Sequence, residues 1–460
     1  MGKPDGFLLN SEEETWCGMG KNNIEKYDIF YQLLKKYVDF WHNFIFYRKV
    51  LAYGKDNIDF SVPTIFAPNH QNALMDAMAV IGTLERQLIF LARADIFRNK
   101  FVARILYAFK MLPVYRIRDG FESLKQNDDT FRDTLRVMEH RNGIVILPEG
   151  NHATYRKLRQ LKKGICRIAF QTAEAKGFTN EIHIVPVGLE YSHYWRFRQV
   201  LTVVYGHPIR VSEYYAAYRE NPNRAIAELR DRLSAEMKKV MVHIDEEQDY
   251  EAINELRSII NEKYSDSIRY PKLFRDQRLV SKINELHASD PESYAEICSD
   301  SLDVRDLATK LRLTYRHLRK KRHPIGWLLL SSLFLLLTLP VFLPGAVLNG
   351  LTFQVSYLKS IKSKDPAFIS TARYGFFLGL SFIFGPLYLI LALIFIKPWW
   401  LAIFVFLMIP VAGIISWNWL LLMRRTVGGF RIWNLNRVKN PDYITLRDKY
   451  NRIINRVTAL

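Results

Sequence analysis

The chain has 460 residues, enough for two or three domains. Lys and Arg number 65 against 46 Asp and Glu, and the net charge of +19 implies an anionic partner: nucleic acid, anionic lipid or a phosphorylated substrate. Hydrophobic residues make up 49% and aromatics 13%, more apolar surface than a nucleic-acid domain needs, which favours a membrane; three cysteines (Cys17, Cys166, Cys298) without metal-site spacing argue against a disulfide framework.

Residues 1–22 lack the basic start and unbroken apolar core of a signal peptide, and Gly6 stands where a myristoylation site needs Ser or Thr. They read as disordered, with Met19 a candidate start. Residues 24–50 predict a helix, because Tyr27, Phe30, Leu34, Val38, Trp41 and Ile45 recur at steps of three or four. Aromatics flanked by Lys26, Lys35, Lys36, Arg48 and Lys49 suit the lipid headgroup boundary, so 23–58 is expected to be an amphipathic membrane-interface helix; packing on the next domain would use the same stripe.

Over 59–220, short β-rich runs ("SVPTIFAP", "QLIFLAR", "MLPVYRI", "GIVILPEG", "IHIVPVGLE", "VLTVVYG") alternate with helical patterns. That alternation predicts an α/β domain with a largely buried sheet. Residues 221–323 predict a helical insert, starting with an amphipathic helix on Ile226, Leu229, Leu233, Met237, Val240 and Ile244. From 324 to 423 the chain carries transmembrane hairpins. Pro324 to Leu358 is uncharged and interrupted by Pro340 and Pro344, while 374–396 and 398–423 each reach the roughly 20 apolar residues of a spanning helix. The flanking segments are all basic (Arg319 to Arg322; Lys359, Lys362 and Lys364; Arg424, Arg425 and Arg431) and belong on the cytoplasmic side. The first stretch must then enter and return, as a re-entrant hairpin or two short crossings. A multi-pass protein with both termini cytoplasmic follows, and 424–460 reads as a basic cytoplasmic tail.

"NHQNALMDA" (69–77) places a histidine and an aspartate at a strand end, where ligands of α/β folds gather. Downstream come "LPVYRIR" with Arg116, "ILPEGNH" with Glu149 and Gly150, "LRQLKKG" with Lys162 and Lys163, and "IVPVGLE" with Pro186. Together and in this order these motifs resemble the glycerophospholipid acyltransferase family (the PlsC-like enzymes), over roughly residues 60–210. That family includes the glycerol-3-phosphate, dihydroxyacetone-phosphate and lysophosphatidate acyltransferases. Its usual first motif has four residues between His and Asp; here five intervene, a spacing similar to the fungal-type glycerol-3-phosphate acyltransferase branch. The family's common FPEGTRS motif reads differently too, since Asn151 and His152 stand where Thr and Arg would.

The resemblance implies an acyltransferase-type mixed sheet flanked by helices. It also implies a membrane enzyme that moves a fatty acyl group from acyl-CoA or acyl carrier protein to a hydroxyl of glycerol-3-phosphate or 1-acylglycerol-3-phosphate. Dihydroxyacetone-phosphate or lysophospholipid acylation is the alternative, and a non-catalytic lipid-binding membrane protein the rival from another class. No cofactor or metal is expected beyond the acyl donor as co-substrate, and no nucleic acid; the partners are the bilayer and the phosphate-bearing acceptor, and the sequence sets no oligomeric state.

The chemistry suits the residue types. Attack of a hydroxyl on a thioester needs a base, and a histidine, ordinarily near pKa 6.5, fills that role at neutral pH. A carboxylate on its other nitrogen fixes the tautomer and stabilises the imidazolium. Six residues of ideal helix turn the chain by about 600°, leaving side chains roughly 120° apart. His70 therefore belongs in a loop, with the helix starting near Ala73 so that Asp76 can reach it; failing that, Gln71 or Asn72 would orient the ring. By motif position, Asn69, Arg116, Glu149, Gly150, Arg156, Lys162 and Lys163 are expected at the substrate. Arg116 would grip phosphate in a bidentate fork, with Arg156, Lys157 or Arg159 replacing the missing motif arginine.

Overall fold

Among the described residues, eight strands form one mixed sheet in the order β1 (Tyr47–Tyr53), β7 (Gln199–Tyr205), β6 (His183–Tyr191), β2 (Thr64–Pro68), β5 (Ile144–Ile146), β3 (Ile89–Arg93) and β4 (Met111–Val114), with β8 (Ile209–Arg210) pairing β6. The computed structural model describes residues 24–114, 126–140, 142–263, 272–319 and 324–459, so the expectation for 1–22 lies outside the described residues. Helix α1 (Ile29–Phe40) and a π-helical turn (Trp41–Phe46) lead into β1 (Tyr47–Tyr53) and β2 (Thr64–Pro68). Next come α2 (Leu74–Ile81), β3 (Ile89–Arg93), α3 (Lys100–Ala108), β4 (Met111–Val114), α4 (Gln126–Glu139), β5 (Ile144–Ile146) and α5 (Gly164–Glu174). The first unit continues with β6 (His183–Tyr191), β7 (Gln199–Tyr205), β8 (Ile209–Arg210), α6 (Tyr215–Glu220) and α7 (Pro222–Val240). Strands β2, β3, β4 and β5 run parallel, as do β2 and β6, while β7 and β8 lie antiparallel to β6.

All six expected strands form, and every residue of β2 and β6 is buried, which is why both read as continuous apolar runs. The expected helix over 24–50 is shorter: it ends at Phe46, and residues 47–53 form an edge strand parallel to β7. The pairing partner is remote in sequence, so local periodicity does not register it. Gly54 turns the chain after β1 with φ 75°, where a Cβ would lie 2.1 Å from the Tyr205 carbonyl oxygen. The first helix of the expected insert also belongs here. Ile226, Leu229, Leu233 and Met237 of α7 join Ile165, Cys166 and Phe170 in the core of the unit formed by residues up to Met241 together with Lys364–Thr371. Burial of Cys166 pushes its thiol up to about 12, as fits a core residue.

The second unit (Val242–Ser363 and Ala372–Leu460) is helical. It holds α8 (Tyr250–Lys263), α9 (Lys272–Ser289), α10 (Pro291–Lys310) and α11 (Tyr315–Leu318). Apolar α12 (Ile325–Leu337) and α13 (Leu339–Ser360) follow, then α14 (Phe368–Phe395), which enters this unit at Ala372, α15 (Trp399–Arg437) and α16 (Pro441–Ala459). Helices α13, α14 and α15 are long and apolar enough to cross a membrane. The uncharged stretch breaks at Thr338: Pro340 falls in the first turn of α13, where a missing N–H costs nothing. Gly345 brings α13 against α15, for a Cβ there would lie 2.2 Å from the Ala412 carbonyl oxygen. The Ser416 hydroxyl donates to the Phe342 carbonyl at 2.7 Å. The expected tail is helical: α15 runs on to Arg437, and α16 docks on α10 through Lys449, whose ammonium meets Asp300 at 2.8 Å and Asp303 at 2.6 Å.

His42 lies buried in the π-helical turn, its Nδ1 2.7 Å from the Asn43 side-chain oxygen. Desolvation, opposed in part by the Asn43 bond, holds the imidazole down at about 4 instead of 6.5. The unfolded chain takes up this proton and the folded chain refuses it. Stability from this group is therefore complete above pH 6.5 and falls by about 3 kcal/mol as pH drops to about 4. Thermal unfolding in detergent across that window should show the decline, and His42→Gln should flatten it.

Candidate functional site

The carboxyl ends of β2, β5 and β6 converge on one loop, Asn69–Ala73. Asn69 continues the β2–β6 pairing with its backbone and side chain. Its N–H donates to the Val187 carbonyl at 3.2 Å, its Oδ1 accepts from the Leu189 N–H at 2.6 Å, and its Nδ2 donates to the Leu189 carbonyl at 3.2 Å. Asn69, expected at the substrate, is wholly buried and turns its side-chain amide to the sheet.

After His70 the chain makes a tight turn. Ala73 sits at φ 45°, ψ −125°, and the Met75 N–H donates to the Asn72 carbonyl at 3.0 Å. These are the signs of a type II′ turn with Ala in the position that favours glycine. The turn absorbs the fifth intervening residue and starts α2 at Leu74, putting Asp76 in its first turn. His70 and Asp76 consequently meet: Nδ1 lies 2.8 Å from Oδ2.

Asp76 is fully buried, and its carboxylate is ringed by donors. Besides His70 Nδ1, Oδ2 accepts from the backbone N–H groups of Gln71 and Asn72, both at 2.7 Å. Oδ1 accepts from the Tyr191 hydroxyl at 2.8 Å. Burial, and then the Asp76 charge, push the Tyr191 phenol well above its ordinary value, so it stays protonated and donates. A carboxylate only accepts, so the 2.8 Å contact assigns the Nδ1–H tautomer to His70 and leaves Nε2 with its lone pair. Gln71, the alternative orienter, instead accepts from the Tyr194 hydroxyl at 2.9 Å.

Glu149 holds the other side of the loop. Its Oε1 accepts from the His70 N–H at 2.7 Å, and its Oε2 from Arg159 Nε at 2.9 Å. Desolvation raises its pKa, against the lowering effects of the His70 N–H and Arg159. Glu149 is thus a backbone anchor, and Gly150 beside it takes φ 69° to turn the chain after β5. Arg156, expected at an acceptor phosphate, is buried instead: it donates to Glu190 at 2.9 and 3.0 Å and to the Tyr191 carbonyl at 2.9 Å. Its fork already grips a carboxylate and carries no free face for a ligand. Lys162 and Lys163 are exposed ahead of α5. Arg116 lies outside the described residues, and among the described residues no His, Cys, Asp and Glu group could hold a metal ion. Tyr191 escapes sequence reasoning, since a tyrosine ending an apolar strand reads as core, and Tyr194 lies just beyond that strand with no motif to mark it.

Residues 49–190 match the family described as Acyltransferase. The chain is 29% identical over 163 residues to "Glycerol-3-phosphate O-acyltransferase 1" of Saccharomyces cerevisiae, covering 34% of this chain and 21% of that protein. It is 29% identical over 104 residues to "Glycerol-3-phosphate O-acyltransferase 2" of the same yeast, covering 22% and 14%. The chain thus matches only about a fifth or less of the length of these relatives. Among solved structures, the 1-acyl-sn-glycerophosphate acyltransferase PlsC of Thermotoga maritima aligns with a TM-score of 0.32 and 18% identity, over 51% of this chain and 83% of that one. The resemblance to the glycerophospholipid acyltransferases, fungal-type glycerol-3-phosphate branch included, is borne out over the matched segment.

The turn carries a stability prediction. Ala73→Gly should raise the unfolding free energy by about 1 kcal/mol by relieving its backbone strain, while Ala73→Val should lower it by about 1 to 3 kcal/mol. Denaturant unfolding of the two variants checks both signs.

Proposed function

We propose that this chain is a membrane-bound glycerophospholipid O-acyltransferase that transfers a fatty acyl group from acyl-CoA to a hydroxyl of glycerol-3-phosphate or 1-acylglycerol-3-phosphate. The observation that carries the reading is the Nδ1–Oδ2 contact of 2.8 Å between His70 and Asp76, inside the segment that matches the Acyltransferase family. His70 Nε2 takes the acceptor's hydroxyl proton as the oxygen attacks the thioester carbonyl. Asp76 stabilises the imidazolium through Nδ1–H. The carbon–sulfur bond then breaks, and the proton passes to the leaving thiolate, so that His70 ends neutral. Lys162 and Lys163, with Arg116, supply the positive charge that meets the acceptor phosphate or the donor's phosphates. Acyl carrier protein in place of CoA, and dihydroxyacetone phosphate or a lysophospholipid as acceptor, use the same chemistry.

The membrane placement rests on α13, α14 and α15, which are long and apolar enough to span, and on basic residues at Lys359, Lys362, Lys364, Arg424 and Arg425 that keep the connecting segments cytoplasmic. With α12 as a short fourth crossing, the number of passes is even and both termini face the cytoplasm. Single cysteines at Lys359 and Lys362 should react with membrane-impermeant maleimide only after the bilayer is opened from the cytoplasmic side. Labelling from outside would reverse the topology.

Purified full-length protein should be offered palmitoyl-CoA with glycerol-3-phosphate, dihydroxyacetone phosphate and 1-acylglycerol-3-phosphate in turn. His70→Ala should abolish turnover of whichever acceptor is used, a loss of at least about 1,000-fold. Asp76→Asn should cost about 1,000- to 10,000-fold by favouring the wrong tautomer. Tyr191→Phe should cost only about tenfold, the loss of one hydrogen bond to a charged group. Transfer retained by His70→Ala overturns the assignment.

A further inference from the structure

Residues Lys364–Thr371, which follow α13 and run into the first turn of α14, belong to the first unit. Two side chains of this segment, Asp365 and Phe368, meet His152, whose ring packs on that of His70. Asp365 Oδ2 lies 2.8 Å from His152 Nε2, and the His152 ring stands edge-to-face with His70, centroids 5.2 Å apart. Phe368 packs on the same His152 ring at 4.9 Å. Further along, buried Ser370 donates through Oγ to the Tyr194 carbonyl, and Tyr194 in turn donates to Gln71, next to His70. The His152 loop is also tied to His70 by backbone, since the Ala153 N–H donates to the His70 carbonyl at 3.3 Å.

His152 thus occupies, beside His70, the motif position where an arginine is usual, and its partner comes from far outside residues 49–190. Its imidazole has Asp365 on one nitrogen and ring contacts with His70 and Phe368. Desolvation acts to raise the Asp365 pKa but is outweighed by hydrogen bonds from His152 and the Ala367 N–H, so its carboxyl titrates below the ordinary value. The pair resembles His70–Asp76 in composition, but it lacks the buried carboxylate: the Asp365 side chain is 51% exposed against 0% for Asp76. It is suited to hold a ring in place and unsuited to drive proton transfer.

We propose that His152 and Asp365 form a second His–Asp pair that positions the His70 imidazole, making the segment between α13 and α14 a component of the acyl-transfer site. His152 is a positioning residue, acting through His70. The inference rests on the reading of His70 as the base.

The test uses the full-length chain in detergent, with palmitoyl-CoA and whichever of the three acceptors it turns over. His152→Gln and Asp365→Asn should each lower kcat about tenfold and leave both KM values within about twofold, because a misplaced base affects the transition state more than binding. Asp365→Glu should restore kcat to within about threefold. The double variant should lose no more than the worse single, since both substitutions break one unit. Wild-type kcat in both single variants, or losses that multiply in the double, overturns the proposal. Asp365 is half exposed on a loop, so its Asn and Glu variants decide the matter even if His152→Gln fails to fold. A dead His70→Ala alongside fully active Asp365→Asn and His152→Gln removes this inference alone. An active His70→Ala removes the reading beneath it.

Discussion

A buried carboxylate cannot stay charged unless donors surround it, and Asp76 is surrounded on both oxygens. Stripping water from a carboxylate costs several kcal/mol, while each hydrogen bond to a charged group returns about 1.5 to 3 kcal/mol. Four such bonds, from His70, Gln71, Asn72 and Tyr191, act against that cost. Two of those four come from the backbone of the loop itself. The loop's shape and the orientation of the His70 imidazole are therefore set by the same side chain.

A second acid completes the arrangement. The N–H groups of three consecutive residues, 70, 71 and 72, all end on carboxylates: the first on Glu149, the next two on Asp76. Glu149 is in turn tied to Arg159, and Arg156 to Glu190, so the acids and guanidiniums nearest the loop neutralise one another in pairs. This pairing divides the basic run 156–163 into two classes. Of its five basic residues, Arg156 and Arg159 pair with Glu190 and Glu149, while Lys162 and Lys163 are exposed. A +19 chain can therefore build the His70 loop around carboxylates and still expose cations nearby in the sequence.

What could be read from the sequence is what is local. The buried strands announce themselves as apolar runs, and the geometry of a six-residue step requires His70 in a loop and Asp76 on a helix. The strained turn at Ala73 was not legible, because alanine gives no sign of a positive φ. Residues 47–53 were misread because an edge strand paired to β7 shares its composition with the end of an aromatic helix. Arg156 looked like a phosphate ligand for want of any sign of Glu190, which lies 34 positions away and meets it only in the folded sheet. Tyr191 was hidden for the same reason: its hydroxyl finds Asp76 across 115 positions.

The contact between His152 and Asp365 carries this dependence on remote chain furthest, spanning 213 positions. Closing so long a loop has an entropic cost that grows only slowly with length, so such a contact persists when the intervening chain is itself folded. Here that chain includes α7, the α8–α11 helices and the apolar α12 and α13. The contacts among His70, Asp76, Glu149 and Tyr191 lie wholly within residues before Met241. His152 is different, because its carboxylate partner comes from a segment that returns to the first unit only at Lys364. Nothing in the local sequence around His152 announces that partner, which is why the pair emerges only from the folded chain.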